Sequence, residues 1–595
     1  MSIFSQNTKT SSVRSSILKK GTNLSKRFSE INTQPKVRFV LPHSKRVHNI
    51  LIEVTRTGSS RDYENLLVLL RDAELLDDDL SSLLKEATQC ISLLNRDLRL
   101  FVEAILGVRW VDRNKSVVSE YQSFIVNLIS AHNYHAKFVI DKLVFLYIPD
   151  SSKCEWPDGV PLDSDCLKFV NIHYLLNILL VVVPMCKELL LHSLRHHFPY
   201  HTKSTHIHEC YLHNLIWTME YQPSFRSEIL HLIFSKLVIM DVNAPKGDIE
   251  KAANSGSEEI FLMDDDTCSV KTSSSHNIAH TLDVCLAKLY NYIIEECHSP
   301  AGELDWNKTK SLYHDLITVF DKVILPTYNT HHVQFVMFVM CSLKSSITEA
   351  FLNYLWKKVC NPCVAPVIRQ ASVNYIASLI ARANYVPFLM LKGTLQQMAD
   401  WVHSYIGTQD GLEYINSDVR VHSVFYSVCQ ALFYVVVFRK KDLLRTKKDI
   451  IFLESMNLAK TVTCRLNPLR VCQPAVAQNF AALTRKYQLA YCYSVMEQNS
   501  RNTIPTIYQD EKGAIVMSNN VLDAFYPFDP YVLERSSQKI QLLYREYKEK
   551  RKQRRETEQM EITEAEVDDF LYQENPHSSS YKFSYGSSPG FKFKG

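Results

Sequence analysis

The sequence contains a single Cys-x-x-Cys motif, within the stretch WKKVCNPCVAPVIRQASVNYIASLIARANYVP that begins at Trp356. Cys360 and Cys363 have the spacing of half a zinc site or of a redox pair. A structural zinc needs four ligands, and neither a second Cys-x-x-Cys nor a spaced His pair accompanies this one. A redox pair would follow a strand, and the pattern before Cys360 is not that of a strand. We therefore interpret both residues as thiols in a turn between two helices.

A second set of possible metal ligands lies in the stretch STHIHECYLH, with His206, His208, Cys210 and His213. Its spacing is not the His-Glu-x-x-His of a zinc hydrolase, so we interpret it as the polar start of a helix. The sequence also contains no Walker loop and no kinase signature. We expect no catalytic residue, no metal and no cofactor, which favours a binding protein over an enzyme.

The elements that would position any site are predicted to be helices. Only 14 of 595 residues are Gly, which counts against sheet-rich folds with many tight turns. The longest apolar run, residues 174–183, is interrupted by Asn177 and stopped by Pro184, and it is shorter than the roughly 20 residues that cross a bilayer. It predicts a buried helix and no membrane contact. Fifteen scattered cysteines indicate reduced thiols in the cytosol or nucleus.

Apolar residues recur with helical period across the body of the chain. In the stretch TLDVCLAKLYNYIIEE, Leu282, Leu286, Leu289 and Ile293 share one face. Many such segments, separated by short polar or Pro-containing breaks, are typical of stacked helix pairs. The predicted fold is all-α, a HEAT/armadillo-like solenoid of stacked antiparallel helix pairs. In the helix that begins at Pro366, the inward face is predicted to include Val367, Ala371, Ile376 and Leu379.

Charge blocks divide the chain, because runs of like charge belong to solvated segments rather than to packed ones. Residues 241–268 carry eight Asp or Glu against two Lys, and residues 545–555 carry seven Lys or Arg against two Glu. We expect a basic disordered tail over 1–48, two halves of the solenoid over 49–242 and 281–545, an acidic mobile loop over 243–280 and a charged, aromatic disordered tail over 546–595.

Two short motifs lie in the predicted mobile segments. Ser255 is followed three residues later by Glu258, which is the pattern of an acidophilic kinase site. The basic run in the C-terminal tail predicts a nuclear localisation signal. Its cations are Lys548, Lys550, Arg551, Lys552, Arg554 and Arg555.

Several long blocks resemble one known family. In chain order they are LNRDLRLFVEAILG, HECYLHNLIW, LVIMDVNA, RQASVNYIASLIARANYVP, VFYSVCQALFYVVVFR, LNPLRVCQPAVAQNFAALTRKYQLAYCY and FYPFDPYVLERS. Together they resemble the RNA polymerase I-specific transcription initiation factor family, the TIF-IA proteins. The resemblance implies a non-enzymatic HEAT-like adaptor that binds RNA polymerase I and bridges it to the promoter-bound selectivity or core factor for ribosomal RNA gene transcription. It further implies control by phosphorylation, a place in the nucleus and nucleolus, and a homodimer when the polymerase is not bound.

The resemblance places the polymerase contact in the N-terminal half. Serines there are the candidates for the contact: Ser116, Ser119, Ser123 and Ser193. The acidic, serine-containing insert of vertebrate members is replaced here by the short stretch SSKCEWPDGVPLDSDC, so its regulatory role is not carried over.

Two other classes of protein remain open from the sequence. A solenoid with basic tails could be a nuclear transport receptor. It could also be a scaffold that binds DNA directly and weakly, through Arg369, Arg382 and the basic run of the tail.

Overall fold

The computed structural model describes residues 46–58, 60–73, 75–148, 155–244, 269–411, 417–501, 507–509, 515–517, 521–522 and 525–547. These residues are helical except for turns, connecting loops and one antiparallel hairpin, β1 (Ile507–Gln509) with β2 (Ile515–Met517). The chain forms two compact units. The first unit ends at Tyr147 and resumes over Pro161–His197, and the second holds Ile148–Val160 and everything from Phe198 onward.

The first unit consists of short and medium helices in chain order. They are α1 (Val47–Thr57), α2 (Arg61–Asp72), α3 (Asp77–Gln89), α4 (Arg99–Leu106), α5 (Lys115–Ala131), α6 (Ala136–Phe145), α7 (Asp163–Val182) and α8 (Cys186–His196). Single 3-10 turns lie at Ile91–Leu93, Arg96–Leu98 and Asn133–His135.

The second unit contains the longer helices. They are α9 (Thr205–Tyr221), α10 (Arg226–Asn243), α11 (Ser269–Cys297), α12 (Trp306–Val319), α13 (Phe335–Ser342), α14 (Ser345–Cys360), α15 (Pro366–Arg382), α16 (Phe388–Asp410), α17 (Ser423–Phe438), α18 (Lys440–Leu443), α19 (Lys447–Ser455), α20 (Leu458–Thr463), α21 (Pro474–Lys486), α22 (Cys492–Arg501) and α23 (Glu534–Gln541). A π-helical turn, Phe320–Ile324, extends α12.

Helix packing follows the repeat pattern predicted from the sequence. A helix contacts its neighbour along the chain and often also the helix after that: α3 packs on α5, α5 on α7, α9 on α11 and α15 on α17. Contacts between alternate helices are what the stacking of successive helix pairs produces. The all-α solenoid class is therefore confirmed.

The structure places several boundaries differently from the sequence prediction. The two units divide near residue 197, whereas the predicted division of the helical body lies at 242. Residues 269–280, assigned to a mobile loop, belong to α11, whose polar first turns continue directly into the apolar stripe that begins at Ile278. Val367 is 71% exposed rather than inward, because it lies in the first turn of α15, ahead of the buried stretch that begins at Ser372.

Helix α7 is more apolar than the other described helices of its length. It is the described helix that is long and apolar enough to cross a membrane. One side of α7 is nevertheless buried within the first unit, where Leu175, Leu176, Leu179 and Leu180 pack. α7 is thus a core helix whose opposite side is also apolar.

Residues 525–547, which we call the return segment, cross back over the second unit. The Phe528 amide donates to Ser378 Oγ at 2.9 Å, and Gln334 Nε2 donates to the Pro527 carbonyl at 2.7 Å. At the other end of the segment, the Arg545 amide donates to the Arg382 carbonyl at 2.6 Å. The return segment therefore ties together helices that are far apart in the sequence.

The start of α23, inside the return segment, is capped by a side chain from another helix. Asp283 of α11 accepts hydrogen bonds from the amides of Arg535 at 2.8 Å and Ser536 at 2.7 Å, and also from the Ser536 hydroxyl. The first amides of a helix have no partner within the helix, so a carboxylate placed there stabilises it. Asp283 consequently links α11 to the return segment.

We predict that Asp283→Ala loosens the return segment without unfolding the rest of the second unit. Loss of a cap of this kind destabilises by about 1–2 kcal/mol. Trypsin should then cleave sooner at Arg535 and Lys539, and the melting temperature should fall. Glu349→Ala, which removes an exposed carboxylate of α14, is the matched control and should change neither. If trypsin cleaves the two variants at the same rate, the Asp283 cap does not hold the return segment in place.

Candidate functional site

Three of the four predicted serines form one exposed row on α5. Ser116, Ser119 and Ser123 are spaced by three and four residues, and Asn127 and Ser130 continue the same face. Asn114 caps the helix by accepting from the Val117 amide at 2.9 Å, which marks where α5 begins. The row is therefore a property of a well-defined helix.

A row of apolar residues is also exposed on α7, which α5 contacts. Leu167, Val170, Tyr174 and Val181 are all exposed, Val181 at 72%. The two helices are joined at their middles, because Gln122 Nε2 donates to the Asn171 carbonyl at 3.1 Å. Both rows therefore lie on one pair of contacting helices within the first unit. We call them together the α5/α7 face.

The apolar half of this face was not predicted from the sequence, because residues 174–183 read as one buried run. A helical wheel over α7 would have shown apolar residues on two opposite sides, which a helix with only one buried side does not need. Exposed apolar rows of this length on a soluble protein mark surfaces that bind other macromolecules.

Ser193, the fourth predicted serine, does not belong to this surface. Its side chain in α8 is fully buried, and the Oγ atom has no hydrogen-bond partner among the described residues. The prediction failed because α8 is amphipathic and Ser193 falls on its inner face with Leu190 and Leu194. A buried serine can neither contact a partner nor be modified in the folded chain.

The two arginines proposed for DNA contact have structural roles. Arg382 is only 1% exposed, with its guanidinium carbon 4.8 Å from the Phe438 ring centre and 5.4 Å from the Tyr544 ring centre. Arg369 is half-buried, and its Nε donates to the Val359 carbonyl at 2.7 Å, at the end of α14. The assignment of Arg382 to DNA was wrong, because its side chain is buried. The sequence did not reveal this burial, because the two aromatic partners are distant from Arg382 in the chain.

The Cys-x-x-Cys motif lies in the turn between α14 and α15, as predicted. Cys360 ends α14, and the Cys363 amide donates to Asn361 Oδ1 at 2.9 Å in a local turn. Partial burial raises the pKa of the Cys360 thiol, and the nearby charge of Arg369 only partly opposes this. A raised pKa lowers the thiolate fraction, which makes Cys360 a weak nucleophile.

The His and Cys cluster is buried rather than polar. In α9 the rings of His206 and His213 pack edge-on against Trp156 at 5.5 and 5.4 Å. The Trp156 amide donates to Glu209 Oε2 at 3.2 Å. These residues hold the segment around Trp156 against α9. Within the described ranges, no three His, Cys, Asp or Glu residues are grouped as metal ligands.

Two predicted motifs fall outside the described residues. They are the kinase site at Ser255 and the basic run from Lys548 to Arg555.

Helical repeats that expose a continuous side-chain surface define a scaffold for binding large partners. Residues 43–552 match the family described as RNA polymerase I specific transcription initiation factor RRN3. The match spans most of the chain, and the chain belongs to this family. Its members are transcription initiation factors and not enzymes.

Relatives support the assignment across kingdoms. The RNA polymerase I-specific transcription initiation factor RRN3 of Mus musculus is 37% identical over 587 residues, covering 92% of this chain and 88% of the mouse protein. The Schizosaccharomyces pombe factor rrn3 is 28% identical over 512 residues, covering 79% and 80%. A crystal structure of RNA polymerase I transcription initiation factor Rrn3 superposes with a TM-score of 0.68 at 19% identity, over 84% of this chain and 97% of that one, and so shares its fold.

We predict that Arg382→Ala destabilises the second unit, since it removes the cation between two rings. A desolvated cation–π contact contributes about 2 kcal/mol. Urea unfolding should show a decrease in stability of at least this size, whereas Arg369→Ala, which removes one hydrogen bond, should cost about 1 kcal/mol. A fully stable Arg382→Ala protein with reduced affinity for duplex DNA would instead support a role of Arg382 in DNA binding.

Proposed function

We propose that this chain binds RNA polymerase I through the α5/α7 face and bridges it to the promoter-bound core factor at ribosomal RNA genes. The observation that carries the proposal is that a serine row and an apolar row are exposed on two contacting helices of the first unit. Membership in a family named for RNA polymerase I supports the choice of partner. The expected place of action is the nucleus and nucleolus, and a homodimer of the free chain remains a prediction from the resemblance.

The chemistry of the α5/α7 face suits a regulated protein interface. Specific interfaces have an apolar centre and a polar rim, and here Val170 and Tyr174 would supply the centre and the serines the rim. Ion pairs lie at its edges, between Lys168 and Asp112 at 3.1 Å and between Lys85 and Glu120 at 3.8 Å. Exposed pairs of this kind add little affinity but set orientation.

Phosphorylation of the serine row would act against binding. A phosphate adds about −1.5 to −2 charges, which disrupts a contact with an apolar or acidic partner by desolvation and repulsion. The Oγ atoms of Ser116 and Ser81 lie 3.2 Å apart, so a modified Ser116 would lose this hydroxyl contact with α3. The folded helix itself should tolerate the charge, because Ser116 and Ser119 are near its N-terminus, where the helix dipole favours anions.

We predict that the triple variant Ser116→Asp, Ser119→Asp, Ser123→Asp co-purifies with RNA polymerase I at a level reduced about tenfold or more, because the added charges repel an acidic partner surface or lose hydration against an apolar one. The triple Ala variant should bind nearly as the unchanged protein. The measurement is a pull-down of the purified polymerase by each variant, next to a thermal melt.

The matched control places the same three charges on the second unit, at the exposed serines Ser345, Ser346 and Ser455. It should retain full polymerase binding. Full binding by a well-folded Ser116, Ser119 and Ser123 triple Asp variant would place the polymerase contact on another face. Equal weakening in the control would point to total charge rather than to this face.

The basic run of the C-terminal tail is proposed to direct nuclear import. Replacing Lys550, Arg551, Lys552, Arg554 and Arg555 with Ala in a tagged protein should move the fluorescence to the cytoplasm. The same substitutions combined with Lys19→Ala and Lys20→Ala test whether the N-terminal basic residues compensate. A nuclear signal that survives both sets of changes would refute the assignment.

A further inference from the structure

The strongest concentration of positive charge in the folded body lies near its C-terminal end. Residues 439–501 carry twelve Lys or Arg against four Asp or Glu, although the whole chain has a net charge of only +4. Three of the four acidic residues are engaged by basic side chains. Asp442 accepts from Arg439 at 2.7 Å, Asp449 from Lys392 at 2.5 Å and Glu497 from Arg501 at 2.5 Å. The surface of this region is therefore dominated by cations.

Exposed tyrosines are interleaved with those cations in one turn. Tyr491, between α21 and α22, is 80% exposed, and Tyr493, in the first turn of α22, is 45% exposed. The Arg485 guanidinium carbon lies 5.5 Å from the Tyr493 ring centre, and Lys486 Nζ lies 5.5 Å from the Tyr487 ring centre. We call residues 485–493 the tyrosine turn. Among the exposed aromatic side chains of the described residues, Tyr491 has the largest exposed fraction.

The tyrosine turn is held rigidly by residues that alternate with the exposed rings. Leu489 and Cys492 are buried, the Leu489 amide donates to the Thr484 carbonyl at 2.9 Å, and the Cys492 sulfur lies 3.3 Å from Thr484 Oγ1. Gln488 adopts a left-handed backbone conformation, with φ of 55°, which reverses the chain direction. The rings are thus presented by a fixed backbone, which reduces the entropic cost of binding.

Helix α22 extends the surface from the tyrosine turn toward two further exposed cations, Arg470 and Arg501. It packs against α21, α20 and the 3-10 turn Pro468–Arg470. Its far end is fixed by Asn499 Nδ2, which donates to Asn467 Oδ1 at 3.2 Å. The exposed Arg470 lies at this end, and its Nη2 donates to the Ser417 carbonyl at 2.7 Å. Tyr493 and Asn499 are six residues apart on α22, which at 1.5 Å per residue is about 9 Å.

We propose that the tyrosine turn and α22 form a binding site for single-stranded nucleic acid, RNA or DNA. Cations that track a phosphate backbone, together with aromatic rings on which bases stack, are the two components of such sites. Duplex DNA would use the cations only, because its bases are already stacked on one another. An acidic peptide would likewise use the cations only. The exposed rings are what favour an unpaired strand, and the site does not depend on polymerase binding by the first unit.

The test uses the full chain and fluorescence anisotropy of labelled oligothymidylate and oligouridylate of about 20 nucleotides, longer than the sites of known single-strand binders. Tyr491→Ala with Tyr493→Ala should weaken binding about tenfold or more, the expected effect of removing base stacking. The corresponding Phe double variant keeps the rings and should bind nearly as the unchanged protein. Comparing the two oligonucleotides shows whether RNA or DNA is preferred.

Charge is tested separately with a matched pair of variants. Arg485→Glu with Lys486→Glu should weaken binding. The slope of log affinity against log salt concentration should become less steep by about 0.7 for each phosphate that the variant no longer neutralises. Lys308→Glu with Lys310→Glu makes the same charge change on exposed residues of α12 and should have little effect. A thermal melt of every variant excludes unfolding as the cause.

Three results would overturn the proposal. The first is equal oligonucleotide binding by the Tyr-to-Ala variant and the unchanged protein. Binding would then rest only on nonspecific attraction between the oligonucleotide and the cations of the chain, including those of the basic tail. The second is equal or tighter binding of a duplex of the same length. The third is displacement of the oligonucleotide by polyglutamate together with insensitivity to the tyrosines, which would indicate an acidic protein partner.

Discussion

The second unit depends on the pairing of the return segment with helices that precede it by more than a hundred residues. At its end, the Asn384 amide donates to the Leu543 carbonyl at 3.0 Å and the Arg545 amide to the Arg382 carbonyl. Arg545 Nη1 also reaches Asp442 at 2.8 Å. Each hydrogen bond contributes only about 1 kcal/mol, but together they bind several repeats that would otherwise contact only their neighbours. The solenoid gains long-range cooperativity from this one segment.

A buried carboxylate with several hydrogen bonds reinforces the same part of the second unit. Asp241 closes α10, and His332 Nδ1 lies 2.8 Å from its Oδ1, while the amides of His331, His332 and Val333 donate to Oδ2. Burial by itself would raise the pKa of Asp241, but His332 and these amides hold the pKa below its ordinary value. A carboxylate with a lowered pKa stabilises the fold above its ordinary pKa, and this contribution disappears as the pH falls through the folded-state value. The His332 ring in turn packs edge-on against Tyr531 of the return segment at 5.2 Å.

The sequence predicted what local pattern can encode and missed what distant contacts decide. Helical periodicity identified the helices, and Pro366 marked the start of α15, because those signals act within a few residues. The capping of Ser536 by Asp283 joins residues 253 positions apart, which no local pattern reports. Arg382 was interpreted as a surface cation because its ring partners, Phe438 and Tyr544, are also distant in the sequence. The serine row on α5 was predictable in part, since exposure follows from helical phase. The prediction for Ser193 was wrong because the phase of α8, which places this residue on the buried side, was not considered.

The central claim is that this chain is a polymerase adaptor, and binding of the unmodified full chain to purified RNA polymerase I tests it most directly. The measurement is co-elution in size-exclusion chromatography, with RNA polymerase II as the control for specificity. The account predicts a complex with RNA polymerase I and none with RNA polymerase II. Separate elution from RNA polymerase I, or equal association with both enzymes, would contradict it.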